Sequence, residues 1–173
     1  MFRMSGRPQP SEAAAYYFTY INQVEGDDVL RVMETQLEQV MHLTTYISEE
    51  KSLHRYAPDK WSMREVVNHI NDSERVFAYR ALWFARGHET PLPSFEQGIA
   101  VPAAKADATA WRVHIEEFRA VREATISLFR NLPAEAWERS GIASDNRVTV
   151  RALAYIIPGH LAHHMKIFRE RYL

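Results

Sequence analysis

Apolar residues recur every three or four positions along most of this chain, the interval that places them on one face of an α-helix. Four long segments carry the pattern, and a shorter one precedes them. The first apolar residues of the four stripes are, in chain order, Val29 and Met33, Met63 and Val66, Trp111 and Ile115, and Leu153 and Ile157. No alternating pattern of any length predicts a β-strand, so the sequence indicates an all-α fold with four main helices.

Capping residues predict where the helices begin. Ser11 is expected to cap the short first helix, and Gly26 is expected to end it. Ser62 is followed three residues later by Glu65, which is the spacing of a capping box, and this pair predicts the start of the second main helix. That helix is expected to run to about Arg86.

Long connections separate the main helices. Residues 87–102 contain several prolines, and residues 133–147 carry only a short helical piece near 135–139. Both stretches are longer than a tight turn between antiparallel neighbours needs. They therefore predict a bundle with crossover connections. The third and fourth main helices are expected over about residues 103–131 and 149–171.

The chain is predicted to form one domain over residues 1–173. Its composition and charge exclude several classes of binding partner. There is no cysteine, which excludes disulfides and cysteine nucleophiles, so any metal must be held by histidine, aspartate or glutamate. A net charge of −1 gives no basic field for nucleic acid. No apolar run reaches the roughly 18 residues of a membrane span. Residues 1–10 lack the apolar core of a signal peptide, so a cytoplasmic location is expected.

The last helix contains three histidines, in the run Gly159-His160-Leu161-Ala162-His163-His164. His160 and His164 are four residues apart and continue the apolar stripe of the helix, whereas His163 lies beside it. Buried imidazoles need partners, which can be a carboxylate, a carbonyl or a shared divalent cation. His69 lies between apolar residues on the second main helix, so it is the best candidate for a third metal ligand.

Carboxylates and aromatic residues extend the candidate site. Glu65 and Asp72 precede and follow His69 by four and three residues, so both are its helical neighbours. Each can orient the histidine or act as a general base, and Glu65 can equally serve as the helix cap. The aromatic residues expected to wall a pocket, or else to pack in the core, are Trp61, Tyr16, Tyr20 and Tyr155.

Pro158 interrupts the last helix just before the histidine run. It has no backbone N–H to donate, and its ring crowds the carbonyl of Ala154. The sequence therefore predicts a bend in this helix one turn before the histidines.

Two stretches of the chain carry family signatures. The first runs from Tyr56 to Arg75 and reads YAPDKWSMREVVNHINDSER, and the second is the Gly-His-x-x-His-His run closed by Arg171-Tyr172. Arg86-Gly87 and a proline-rich loop lie between them. In this order and separation, the motifs resemble those of the DinB-like superfamily, in its YfiT-like group of metal-dependent enzymes. The resemblance covers about residues 8–173.

The resemblance implies a four-helix bundle in the up-down-down-up arrangement, often as a homodimer. It also implies a divalent metal held by one histidine of the second main helix and two of the last. Carried onto this chain, these ligands are His69, His160 and His164, with His163 as a neighbour whose spacing also permits ligation. Zinc or nickel is expected, with iron or manganese as alternatives, because imidazole binds several metals.

Two chemistries follow from three neutral imidazoles around a metal with an open position. Zinc in such a site lowers the pKa of bound water to about 7, which predicts a hydrolase. The same cation stabilises a thiolate, which predicts a thiol (S-)transferase. Either enzyme is expected to act on a small molecule, with no role for nucleic acid or a membrane. The alternative is a non-catalytic, metal-stabilised dimer or a small-ligand-binding bundle, in which the metal site would be closed.

Overall fold

Six α-helices and one β-hairpin form the part of the chain that the computed structural model describes, residues 6–173. The helices are α1 (Phe18–Ile21), α2 (Val29–Thr44), α3 (Met63–Ala85), α4 (Gln97–Ala104), α5 (Trp111–Arg130) and α6 (Val150–Ile167), and the strands are β1 (Ser140–Ala143) and β2 (Asn146–Thr149). Single 3-10 turns connect several of them, and a π-helical turn, Phe168–Tyr172, follows α6. Residues 1–5, which belong to the predicted domain and to the stretch 1–10 considered for a signal peptide, lie outside the described residues.

Helices α2, α3, α5 and α6 form a four-helix bundle. Both α2 and α3 pack against α5 and α6, so α2 and α3 follow one another in the chain but lie diagonally in the bundle. One end of the bundle buries the end of α2 and of α6 together with the beginnings of α3 and α5. Two helices therefore run one way and two the other, which confirms the predicted up-down-down-up order with crossover connections. None of the helices in residues 6–173 has the length and apolar character needed to cross a membrane.

The predicted capping box begins α3. The Ser62 hydroxyl accepts a hydrogen bond from the Glu65 backbone N–H at 3.1 Å, and the Glu65 carboxylate accepts one from the Ser62 N–H at 2.8 Å. Gly87, with a φ of +83°, takes the left-handed conformation that ends the helix. The sequence therefore defines both ends of the helix that carries His69.

A layer of hydrogen-bonded polar groups separates two apolar clusters in the bundle core. Arg122 donates from Nη2 to Glu74 Oε2 at 2.8 Å and from Nη1 to Gln36 Oε1 at 3.0 Å. Gln36 in turn donates to the backbone carbonyl of Pro158 at 2.9 Å. The side chains of Arg122 and Glu74 are 0% and 3% exposed. This polar layer joins all four helices at one level, because it takes one member from each.

Gly159 allows α1 to lie directly against α6. A Cβ added at this position would overlap the backbone carbonyl of Tyr20. The close approach packs the Tyr20 ring 5.3 Å from the ring of His160, the residue that follows the glycine. The contact between the two backbones therefore requires a residue without a Cβ at position 159.

We expect Gly159→Ala to lower the free energy of unfolding by about 1–3 kcal/mol, because the methyl group must push α1 away from α6. Thermal unfolding measures the effect. Gly98→Ala is the matched control, since nothing lies within 4 Å of a Cβ at this position of α4 and alanine favours the helix. Equal stability of Gly159→Ala and the unmodified protein would contradict the assigned contact.

The N-terminal segment differs from its prediction. Gln9, not Ser11, caps the first turn (Pro10–Glu12), and the expected single helix is divided into two 3-10 turns and the short α1. Glu12 is buried and accepts hydrogen bonds from Arg151 and from Thr149, the N-cap of α6. A tertiary ion pair therefore replaces the local helix that propensity favours.

The two predicted loops also contain regular structure. Helix α4 begins inside the stretch 87–102 that was predicted to be a loop and ends two residues beyond it. Helix α5 begins at Trp111 instead of near residue 103. The second loop holds the predicted short helical piece, as a 3-10 turn at Ala134–Glu138, and then the hairpin of β1 and β2. Helix α6 continues through Pro158, and the bend there stays a prediction.

Candidate metal centre

Three histidines from two helices bring their ring nitrogens together. The Nε2 atom of His160 lies 3.2 Å from Nε2 of His69 and 3.1 Å from Nε2 of His164. One nitrogen from each ring lies within 4.8 Å of the other two. His69 comes from α3, and the other two come from successive turns of α6. We call these three residues the histidine cluster.

The spacing of the histidine cluster fits one divalent cation. Imidazole nitrogens that bind tetrahedral zinc at about 2.0–2.1 Å are about 3.3 Å apart. The two measured distances, 3.1 and 3.2 Å, are close to that value. The donors are also of the right kind, since neutral imidazole is a ligand for zinc and nickel.

Burial holds the three imidazoles in the neutral form that binds metals. It lowers the pKa of His69 to about 4 and that of His164 to about 3. The pKa of His160 also lies well below its usual range, first because of burial and then because of the neighbouring histidines and Arg122. All three rings are therefore uncharged at neutral pH.

Neighbouring side chains hold the rings of the cluster. Ser73, one turn after His69 on α3, places its hydroxyl 3.4 Å from Nδ1 of His69. The ring of Trp61 lies 5.0 Å from that of His69. A polar partner on the second nitrogen of a ligating histidine fixes the ring orientation. Sequence reasoning missed Ser73, although its spacing of four from His69 was the available signal.

Two cavities adjoin the histidine cluster. The first has a volume of about 290 Å³ and reaches His69 and His160. Its walls come from α1, α3, the stretch 94–97 and the hairpin turn. The second, of about 270 Å³, reaches His164 and is lined by Trp61 and Tyr172 among others. The cluster is therefore accessible, which a purely structural metal site does not require.

Tyrosines form one wall of the first cavity. The hydroxyls of Tyr16 and Tyr20 are hydrogen-bonded at 2.7 Å. Burial and this bond raise the pKa of Tyr20 well above its usual range, so its phenol stays protonated at neutral pH. Both residues were candidates for a pocket wall or for the core, and both line this cavity. Tyr155 lies elsewhere, since its hydroxyl donates to the carbonyl of Asp27 at 2.8 Å.

The sequence matches the DinB superfamily over residues 33–168, a stretch that includes the whole histidine cluster. This chain belongs to the DinB superfamily. Among solved structures, it is similar to YfiT from Bacillus subtilis, described as a probable metal-dependent hydrolase with an unusual four-helix bundle topology. The TM-score is 0.68 at 17% sequence identity, over 95% of this chain and 92% of that chain, which shows a shared fold. No curated protein matches the sequence.

His163 is not part of the cluster in this DinB-superfamily chain. Its ring packs edge-on against Tyr20 at 5.5 Å and against His164 at 5.2 Å. Because His160 and His164 continue the apolar stripe of α6, the sequence favoured them over His163 as metal ligands. The structure brings together the three histidines that the sequence had selected.

The two predicted carboxylates have other partners in the DinB-superfamily fold. Glu65 completes the capping box and forms an ion pair with Arg55 at 2.6 Å. Asp72 lies 3.6 Å from Arg75, and burial raises the pKa of its carboxyl group. Neither residue lines the two cavities described above. A catalytic role for either one stays a prediction.

Proposed function

We propose that this DinB-superfamily protein is a metal-dependent hydrolase that acts on a small molecule. The cation, zinc or nickel, is held by His69, His160 and His164. The observation that carries the proposal is the meeting of three neutral imidazole nitrogens at metal-ligand spacing beside an accessible cavity. The similarity in fold to YfiT, a probable metal-dependent hydrolase, supports it.

The residues around the cluster have separate tasks in this proposal. When bound, a divalent cation supplies a Lewis acid and lowers the pKa of a coordinated water to about 7. Ser73 holds the ring of His69 in place, and Phe77 and Tyr20 limit the access of bulk water. The protonated hydroxyl of Tyr20 donates a hydrogen bond to a substrate oxygen. Asp72 and Glu65, the helical neighbours of His69, are the proposed proton acceptors, although neither lines either of the two cavities.

The second cavity favours a second candidate function, thiol transfer. A transferase must bring two reactants to one metal, and two cavities adjoin the histidine cluster. A cation at the cluster would favour the thiolate form of a thiol that entered through either one. Hydrolysis and thiol transfer therefore share the cluster and differ in the nucleophile.

We expect turnover of esters or amides by the metal-loaded, untagged protein, and loss of turnover in His164→Ala. The assay uses a panel of ester and amide substrates after loading with zinc, nickel, manganese or iron, with and without a small thiol. Thiol-dependent turnover with the thiol incorporated in the product identifies the transferase. Since His163 lies outside the cluster, His163→Ala is the control and is expected to keep its metal.

A protein that retains the metal but turns over no substrate under any of these conditions would contradict the enzymatic proposal. That result would favour the alternative, a metal-stabilised or ligand-binding bundle. The homodimer implied by the family resemblance stays a prediction, and light scattering on the untagged protein tests it.

A further inference from the structure

One face of α3, from His69 to Arg80, lines the first cavity. His69, Ser73, Phe77 and Arg80 are separated by four, four and three residues, so they lie on one side of the helix. All four line the cavity that reaches the histidine cluster. The cavity therefore has a metal-binding end at His69 and a cationic end at Arg80, with an aromatic ring between them.

Arg80 is buried without a counter-charge. The residue is 5% exposed, and its two hydrogen bonds both come from Nη2, to the Pro93 carbonyl at 2.9 Å and to Ser144 Oγ at 3.0 Å. Its Nε and Nη1 donate to no residue within 6–173, and no carboxylate of those residues forms an ion pair with it. Glu96 lines the same cavity but is exposed. Neither nitrogen is among the buried side-chain atoms without a partner, so both donors remain open to solvent. A guanidinium with free donors and no carboxylate beside it favours an anionic ligand.

We propose that Arg80 binds the carboxylate end of the substrate, so that the protein acts on a small molecule with an anionic group at the end remote from its reacting bond. A carboxylate presents two coplanar oxygens, which match the parallel N–H donors of a guanidinium. The proposal that Arg80 binds an anion does not depend on the proposed function. The proposal that the reacting bond lies at the remote end rests on the proposed function.

The distances within the cavity allow one molecule to reach both ends. The guanidinium carbon of Arg80 lies 6.0 Å from the centre of the Phe77 ring. The ring of His160 lies 6.0 Å from the same centre. A short chain that lies across Phe77 therefore extends from Arg80 to the histidine cluster. A volume of about 290 Å³ suits a small ligand.

Calorimetry with simple acids tests the proposal without any turnover. The zinc-loaded protein is titrated with straight-chain dicarboxylates from succinate to suberate, and with the monocarboxylate of each length. We expect one dicarboxylate to bind at least about tenfold more tightly than its monocarboxylate, because its second carboxylate pairs with Arg80. This advantage should disappear in Arg80→Gln and persist in Arg112→Gln, which removes an exposed charge from α5.

Arg80 also holds the hairpin turn, so stability is measured beside binding. Zinc content and thermal unfolding of Arg80→Gln show whether the fold and the metal centre are intact. If that variant does not fold, Arg80→Lys replaces it, because it keeps the charge but loses the paired donors and should lose most of the advantage. The proposal is overturned if no dicarboxylate binds better than its monocarboxylate, or if the advantage survives in folded Arg80→Gln.

The outcomes for Arg80 and for the hydrolase proposal are distinguishable. Selective dicarboxylate binding without turnover of any ester supports the anion site and contradicts the enzymatic proposal. Turnover that is equal for half-esters of dicarboxylic acids and for neutral esters of the same length supports the enzyme and contradicts the anion site. If both proposals hold, Arg80→Gln raises KM for the half-ester, whereas Arg112→Gln leaves it unchanged.

Discussion

Replacing His160 by alanine is expected to abolish stoichiometric zinc binding and the stabilisation that zinc provides. The Nε2 atom of His160 lies within 3.2 Å of the corresponding atoms of both other histidines, so its removal leaves two donors on different helices. A bound metal stabilises the native state by about 4 kcal/mol when its concentration is 1,000 times the Kd. Elemental analysis of untagged protein, and thermal unfolding with and without zinc, measure the two effects.

Two further variants make this result specific. His163→Ala should keep full zinc content, because the ring of His163 contacts Tyr20 and His164 from outside the cluster. Ser73→Ala should weaken zinc binding by about tenfold or more, since it removes the polar partner of the second ring nitrogen of His69. Full zinc retention in His160→Ala would refute the three-histidine centre.

Replacing Arg122 by methionine is expected to lower the free energy of unfolding by about 3–5 kcal/mol, because it leaves the buried Glu74 carboxylate without its partner. For a chain of this size the melting temperature should fall by roughly 10 °C. Chemical denaturation and thermal unfolding measure both quantities.

The control for Arg122 is an exposed arginine on the same helix. Arg130 forms an ion pair with Glu34 at the surface, and Arg130→Met should cost less than about 1 kcal/mol. The double variant Glu74→Met with Arg122→Met should recover most of the lost stability, since an apolar pair needs no counter-charge. A double variant as unstable as Arg122→Met alone would show that the charge on Glu74 is not the cause.

The four-helix bundle and the histidine cluster were predictable because both depend on local periodicity. The apolar stripes defined the four helices, and the same stripe on α6 distinguished His160 and His164 from His163. His69 followed from its apolar neighbours on α3 and from the family signature. The helix start at Ser62 was predictable because the capping box lies within four residues of sequence.

The hairpin and the N-terminal turns depend on tertiary contacts that no local pattern encodes. The hairpin turn consists of Ser144 and Asp145, which both take positive φ values without being glycine. Its strands have four residues each, too few for a visible alternation, and Leu92 pairs with the hairpin from a distant loop. The sequence did not indicate Arg80 as a site residue for the same reason, because its hydrogen-bond partners lie in the loop at Pro93 and in the hairpin turn at Ser144.

In the proposed binding mode, the common face of α3 also sets the length of the molecule that spans the cavity. Because an α-helix is rigid and rises 1.5 Å per residue, the distance between the cationic end and the metal end is determined by residue spacing along a single element. An arginine one turn nearer to His69 would shorten the accepted molecule by about 5 Å without disturbing the histidines. In the proposed binding mode, relocating one side chain along this helix would therefore change the length of the molecule that the bundle selects.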